Sequence, residues 1–269
     1  MAITTGAATT DNLSIGGNTL TGGGPAVAMV WGWIKVDTFT SGRCIHNTLK
    51  LDTTLGTNEF RLILTRLTTS AETRTSGANI VVGEWTFVCT ASICTTAAHD
   101  SRIWVGTIST PPVKQTLSSA VAGSGNFSSS GITVLGNLTS SGTTAFQGTS
   151  DGWGGAFTAD TTTGGTHPFG LSSLTALTAA DDDFLLQRFV LPAWLGETPK
   201  VVMSTGTVAT ARSGQYVTGQ NAPYQLTSTQ RRTTATDLTT GAATVTGTVA
   251  SQERCPRAIG NIDFPYLRR

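Results

Sequence analysis

The chain has 269 residues, a formal net charge of +1, and only 12% charged residues. A balance this close to neutral supplies no basic field of the kind that draws nucleic acid or an anionic membrane surface, so neither partner is expected. Thr makes up roughly a fifth of the residues and Gly adds 31 more, so strong helix formers are scarce and an all-β protein is expected.

Residues 1–25 are rich in Gly and Thr, contain no aromatic residue and end in Gly22-Gly23-Gly24-Pro25. They read as an extended N-terminal arm followed by a hinge. The first residues have neither the basic start nor the long apolar run of a signal peptide, and no 18-residue apolar segment occurs. A soluble product made in the cytoplasm is therefore expected.

From Ala28 to Asp37 apolar residues alternate with period two, as in a strand. Ala28, Val30, Gly32, Ile34 and Val36 project to one face; Met29, Trp31, Trp33, Lys35 and Asp37 project to the other. The indoles of Trp31 and Trp33, with Trp104, have two readings. They fill the layer between two sheets, or they form a platform on which a sugar stacks its apolar C–H face.

Further strands are predicted at Phe60 to Leu67, Trp85 to Ala91, Arg102 to Ile108, Ile132 to Leu135 and Phe146 to Ser150, separated by turn formers such as Pro111-Pro112 and Ser141-Gly142. One short helix is predicted. Thr178 and Asp181 have the spacing of a capping box, Asp182 and Asp183 suit the positive end, and the helix should run to about Arg188 and stop before Pro192. Residues 26–196 hold all six tryptophans and form the expected packed domain. Residues 197–269 are Thr-rich without Trp and form a C-terminal extension, either strands added to the sheet edge or a tail that orders against a partner.

Catalytic patterns are weak. Gly148-Thr149-Ser150-Asp151-Gly152 has the spacing of a nucleophile elbow, with Asp160 and His167 following, but Trp153-Gly154-Gly155-Ala156 is a poor helix start and a glycine-rich strand edge accounts better for it. No Glu opens the Glu-x-Asp-x-x-Glu pattern of a β-glucan hydrolase. Cys89 and Cys94 lack a second ligand pair, and His46, His99 and His167 are scattered. Catalytic residues, cofactor and metal are each expected to be absent. Cys44, Cys89, Cys94 and Cys255 are expected as reduced, partly buried thiols.

Six stretches in order carry a resemblance: Val30-Trp31-Gly32-Trp33-Ile34-Lys35, Gly83-Glu84-Trp85-Thr86-Phe87-Val88, Arg102-Ile103-Trp104-Val105-Gly106, Ile132-Thr133-Val134-Leu135-Gly136, Phe146-Gln147-Gly148-Thr149-Ser150-Asp151 and Leu177-Thr178-Ala179-Ala180-Asp181. Together they resemble the concanavalin A-like jelly roll of the laminin-G-like type, as found in bacteriophage virion structural and decoration proteins. The resemblance implies a jelly-roll sandwich of two antiparallel sheets with one short helix, flanked here by terminal arms. Such folds serve as lectins, hydrolases and structural modules, so fold alone leaves function open.

The expectation is a non-enzymatic virion structural protein, a phage capsid decoration or cement protein. It would bind a major capsid or other virion protein and its own copies, as a homo-oligomer, through its arms. Candidate partner contacts are Arg231, Arg232, Tyr266, Arg268 and Arg269, because paired guanidiniums clamp carboxylates. The alternative is a glycan-binding module of a phage fibre or surface protein. Weak glycan binding is also compatible with decoration.

Overall fold

The alternating run around Trp31 lies in a 13-residue strand, β3 (Ala26–Thr38), the longest together with β13 (Gln147–Ala159) among the described residues. The computed structural model describes residues 3–5, 12–18, 26–46, 48–53, 58–64, 71–75, 80–94, 99–121, 131–135, 144–159, 176–196, 213–217, 228–232, 238–240, 243–246 and 255. The other strands are β1 (Ile3–Thr5), β2 (Asn12–Asn18), β4 (Cys44–His46), β5 (Leu49–Asp52), β6 (Glu59–Leu64), β7 (Ala71–Thr75), β8 (Trp85–Cys94), β9 (His99–Thr107), β10 (Val113–Lys114), β11 (Leu117–Val121), β12 (Gly131–Leu135), β14 (Ser213–Val217), β15 (Ser228–Arg232), β16 (Leu238–Thr240) and β17 (Ala243–Thr246).

They form an all-β sandwich of two antiparallel sheets. The first has the order β10-β9-β8-β3-β13-β14-β15-β16, with β1 on the edge of β13 ahead of β14; the second has the order β11-β7-β6-β5-β4-β12-β2-β17. Four predicted strands are present with ends shifted by one to three residues where described; the last part of the one placed at Phe60 to Leu67, residues 65–67, lies outside the described residues. The fifth, placed at Phe146 to Ser150, continues to Ala159. β4, β5 and β7 were not foreseen: they are three to five residues long, too short for a run of alternating hydrophobicity to stand out.

Alternation along β3 divides two apolar cores. Ile34 and Val36 face the second sheet and pack with Ile45, Leu49, Leu51, Phe60, Leu62, Val88, Ile103, Val105, Phe146 and Trp153. Met29, Trp31 and Trp33 face the opposite way, into a second core with Trp85, Phe87, Cys89, Trp104 and the helical segment. The indoles of β3 therefore do not fill the layer between the sheets. They fill a third layer, on the outer face of the first sheet.

The segment covering that layer begins with α1 (Ala179–Leu185). Its capping box is complete: the Thr178 hydroxyl donates to Asp181 Oδ2 (2.7 Å), the Asp181 N–H donates to Thr178 Oγ1 (3.2 Å) and the Thr178 N–H donates to Asp181 Oδ2 (2.8 Å). The expected stop before Pro192 does not occur. A π-helical turn, Leu186–Val190, leads into α2 (Leu191–Trp194), which contains Pro192 in its first turn. At Leu191 the backbone N–H donates to Leu186, five residues back, so the ladder has widened before it reaches the residue that cannot donate. No helix among the described residues is long and apolar enough to cross a membrane.

Candidate functional site

The outer layer is built by cross-strand rows. Gly154, Trp31, Cys89, Trp104 and Lys114 are successive register partners across β13, β3, β8, β9 and β10. The small Cys89 thus sits between two indoles, and Gly154 lies beyond one of them. In the next row Asp151 pairs with Trp33 and Trp33 with Phe87, whose ring centroid is 5.3 Å from that of Trp33. Between the rows β13 carries a bulge, and Gly152 there takes the left-handed conformation (φ 60°). The extra residue turns Trp153 into the inner core while Asp151 and Gly154 keep the outer face.

Leu177, Leu185, Phe189, Val190, Ala193 and Trp194 close over the indoles. The candidate glycan platform is therefore covered: Trp31, Trp33 and Trp104 are 2%, 0% and 1% exposed. None presents a ring face to solvent. Trp31, Trp33 and Trp104 thus pack under the helical segment and not between the two sheets.

Polar groups pin the cover at both ends. Arg102 Nε donates to Asp182 Oδ1 (2.7 Å), its terminal nitrogens donate to Asp100 Oδ1 (2.5 Å) and the Leu177 carbonyl (2.8 Å), and Lys114 Nζ donates to Asp182 Oδ2 (2.6 Å). The Leu177 N–H closes the ring onto Asp100 Oδ2 (2.9 Å). Burial opposes the charge on Arg102, but hydrogen bonds and proximity to Asp100 and Asp182 outweigh it and hold the guanidinium above its ordinary pKa. At the far end Trp194 Nε1 donates to the Thr107 carbonyl (2.8 Å). Asp182 was expected only to suit the helix's positive end; its bond to Arg102 spans 80 residues and leaves no local signal in the sequence. Its chemistry is that of a structural fastening, with every charge met by an opposite one.

The Gly148–Gly152 stretch is not a strand edge. It lies in β13, paired with β3 on one side and, at Gly148 to Ser150, with β1 on the other. Ser150 is 1% exposed, which removes it from any attack on a substrate in solvent. Asp151 accepts hydrogen bonds from the Gly152 N–H (2.9 Å) and the Cys255 N–H (3.1 Å), so it anchors a residue of the C-terminal segment. Asp160 and His167 lie outside the described residues.

His46 is buried in β4, with its ring stacked on Trp153 (centroids 5.9 Å apart, 20° between planes). The Thr48 N–H donates to Nδ1 (3.1 Å), which requires a lone pair there. Burial lowers the His46 pKa to about 3, so the ring is neutral. Burial likewise raises the thiol pKa of Cys44 and Cys89. Cys44, Cys89 and Cys255 are buried, and none of the three is in a disulfide. No group of three His, Cys, Asp or Glu side chains suited to a metal ion occurs among the described residues.

The terminal segments pair with strands of both sheets. β1 lies antiparallel to β13 with Ile3 opposite Ser150 and Thr5 opposite Gly148. β2 lies antiparallel to β12 with Leu13 opposite Leu135 and Asn18 opposite Gly131, and β17 pairs with the other side of β2. The C-terminal region also supplies β14, β15 and β16 to the first sheet. Arg231 stands opposite Gly214 and Thr239, and Arg232 opposite Ser213 and Leu238. Tyr266, Arg268 and Arg269 lie outside the described residues. No protein-family model matches the chain, and no curated protein matches it in sequence.

Proposed function

We propose that this chain is a non-enzymatic virion structural protein: a bacteriophage capsid decoration or cement protein whose sandwich is a concanavalin A-like jelly roll of the laminin-G-like type. In this reading its terminal segments bind the shell and further copies of the chain. The observation that carries it is the way those segments are held. β1, β2 and β17 join the sheets by main-chain pairing, the mode by which extended segments also bind a neighbouring subunit. Main-chain pairing asks little of side-chain identity, which suits the short segments Ile-Thr-Thr, Asn-Leu-Ser-Ile-Gly-Gly-Asn and Ala-Thr-Val-Thr.

The outer layer favours the same reading over the glycan-binding alternative. Its indoles are buried and its charges are engaged in fastening the helical cover, so that face serves stability. Arg231 and Arg232, on a strand between β14 and β16, are proposed partner contacts, together with Tyr266, Arg268 and Arg269. Localisation in the virion follows from the proposal.

Particles purified from the source that encodes the chain should contain it, and the purified protein should bind particles stripped of it. Removing residues 1–18 should abolish that binding while leaving β3 to β13 folded. Particles that lack the protein, or free protein with no affinity for shells, would overturn the proposal.

A further inference from the structure

We infer that Cys94 and His99, paired across the hairpin of β8 and β9, form a thiol–imidazole site that exchanges with low-mass disulfides such as oxidised glutathione and carries the resulting mixed disulfide on Cys94. In the sequence the two belong to separate, scattered sets. The hairpin brings them together.

Register places the pair. β8 and β9 run antiparallel, and Cys94 stands directly opposite His99 at the last position of one strand and the first of the other. Residues so opposed have Cβ atoms about 5 Å apart, close enough for a thiol to donate to an imidazole nitrogen.

Alternation assigns the face. Ile93 belongs to the outer core, whereas Val88, Ile103 and Val105 belong to the inner one. The inner pairs are therefore Val88 with Val105, Thr90 with Ile103, Ser92 with Ser101 and Cys94 with His99, running from apolar to polar toward the strand ends. Ser92 and Ser101 are hydrogen-bonded to each other, oxygen to oxygen, at 3.2 Å. Cys89 stands in the outer row between Trp31 and Trp104, five residues along β8 and on its other face. That separation is beyond the reach of a disulfide or a shared metal, which leaves His99 as the partner for Cys94.

Few charges compete for the pair. Its row continues through Ala26 to Ala159. Asp100 and Arg102 stand in outer rows of β9, bonded to each other in the clasp. β7 packs against β9 from the second sheet, and its charged residues Glu72 and Arg74 stand opposite Ile63 and Arg61, in the rows turned away from the first sheet. The imidazolium is thus the cation placed to favour the thiolate, which is the reacting form.

The exchange balances without a further oxidant. His99 takes the thiol proton, and the Cys94 thiolate attacks one sulfur of the disulfide. The bond to Cys94 forms as the S–S bond breaks, and the departing thiolate takes the proton from the imidazolium. One thiol and one disulfide become one mixed disulfide and one thiol.

The full-length native chain, fully reduced, is treated with dithiobis(nitrobenzoate) from about pH 5 to about pH 10, and the modified cysteine is mapped by mass. One fast equivalent at Cys94 is expected, with a rate that inflects below about 8.5, the ordinary thiol value. Cys44, Cys89 and Cys255 are buried and should react only after denaturant is added. Cys94→Ser should remove the fast equivalent. His99→Gln should move the inflection up to about 8.5 or above and slow the reaction severalfold at neutral pH. Oxidised glutathione in place of the probe should add one glutathionyl group, at Cys94. If His99→Gln prevents folding, the inflection of the parent chain decides. No native reaction at Cys94, a parent inflection at or above the ordinary value, or an unchanged profile in His99→Gln overturns the inference.

Discussion

Trp31 and Gly154 face each other across β3 and β13, and the indole occupies the space a side chain at Gly154 would need: a Cβ there would lie 2.3 Å from Trp31 Cζ2. The inner face repeats the arrangement with the roles exchanged. A Cβ on Gly32 would lie 2.3 Å from Cδ2 of Trp153. Each strand thus contributes one tryptophan and one glycine, and the two indoles cover opposite faces of the same pair of strands.

Gly32→Ala and Gly154→Ala should each destabilise the fold by about 1–3 kcal/mol, the usual cost of overpacking a filled core. The conflict is with a rigid ring, so a smaller ring should relieve it. Gly154→Ala combined with Trp31→Phe should lose less stability than the sum of the two single changes. Urea unfolding of the four proteins measures the coupling, and strict additivity would contradict the packing described.

The clasp on the helical cover should respond unequally to its members. Arg102 holds Asp182, Asp100 and the Leu177 carbonyl with its side chain 18% exposed, whereas Lys114 holds Asp182 alone with its side chain 47% exposed. Arg102→Met takes the cation from Asp100 and leaves Asp182 with Lys114 alone, and should cost about 2–4 kcal/mol, allowing for residual solvent at the site. Lys114→Met should cost under about 1 kcal/mol because water screens that pair. Chemical unfolding midpoints decide the order, and a larger loss at Lys114 would refute it.

Acid should weaken the fold through His46. Its folded pKa of about 3 lies below the ordinary 6.5, so the unfolded chain binds the proton more readily. This contribution is fully present above pH 6.5 and is lost as pH falls from there toward 3. By pH 5 the loss is about 2 kcal/mol. His46→Gln, compared with the parent chain at pH 7 and pH 5, should remove that part of the pH dependence, although it lowers stability at pH 7 through lost stacking.

Cys44 and Cys89 should resist alkylation in the native protein at pH 8, because burial both excludes the reagent and disfavours the thiolate. Peptide mapping after iodoacetamide should find both unmodified until denaturant is added. Native labelling at Cys89 would place it outside the row between Trp31 and Trp104.

Much of this was legible before folding. The low charge and the Thr and Gly content implied strands, the alternation of Ala28 to Asp37 marked β3, and Thr178 with Asp181 announced the helix start, because each rests on a period or a spacing of a few residues. Period two also separated the two faces of β3 correctly. What covers each face is a different matter. Only tertiary structure decided that the indoles lie under a helical segment, that Arg102 fastens to Asp182 eighty residues away, that Pro192 is admitted by a π turn, and that residues 12–18 complete the sheet opposite to the one their chain neighbours join. The physical reason is that period and spacing act between chain neighbours, whereas burial, ion pairing and strand order depend on which distant segments exclude water together.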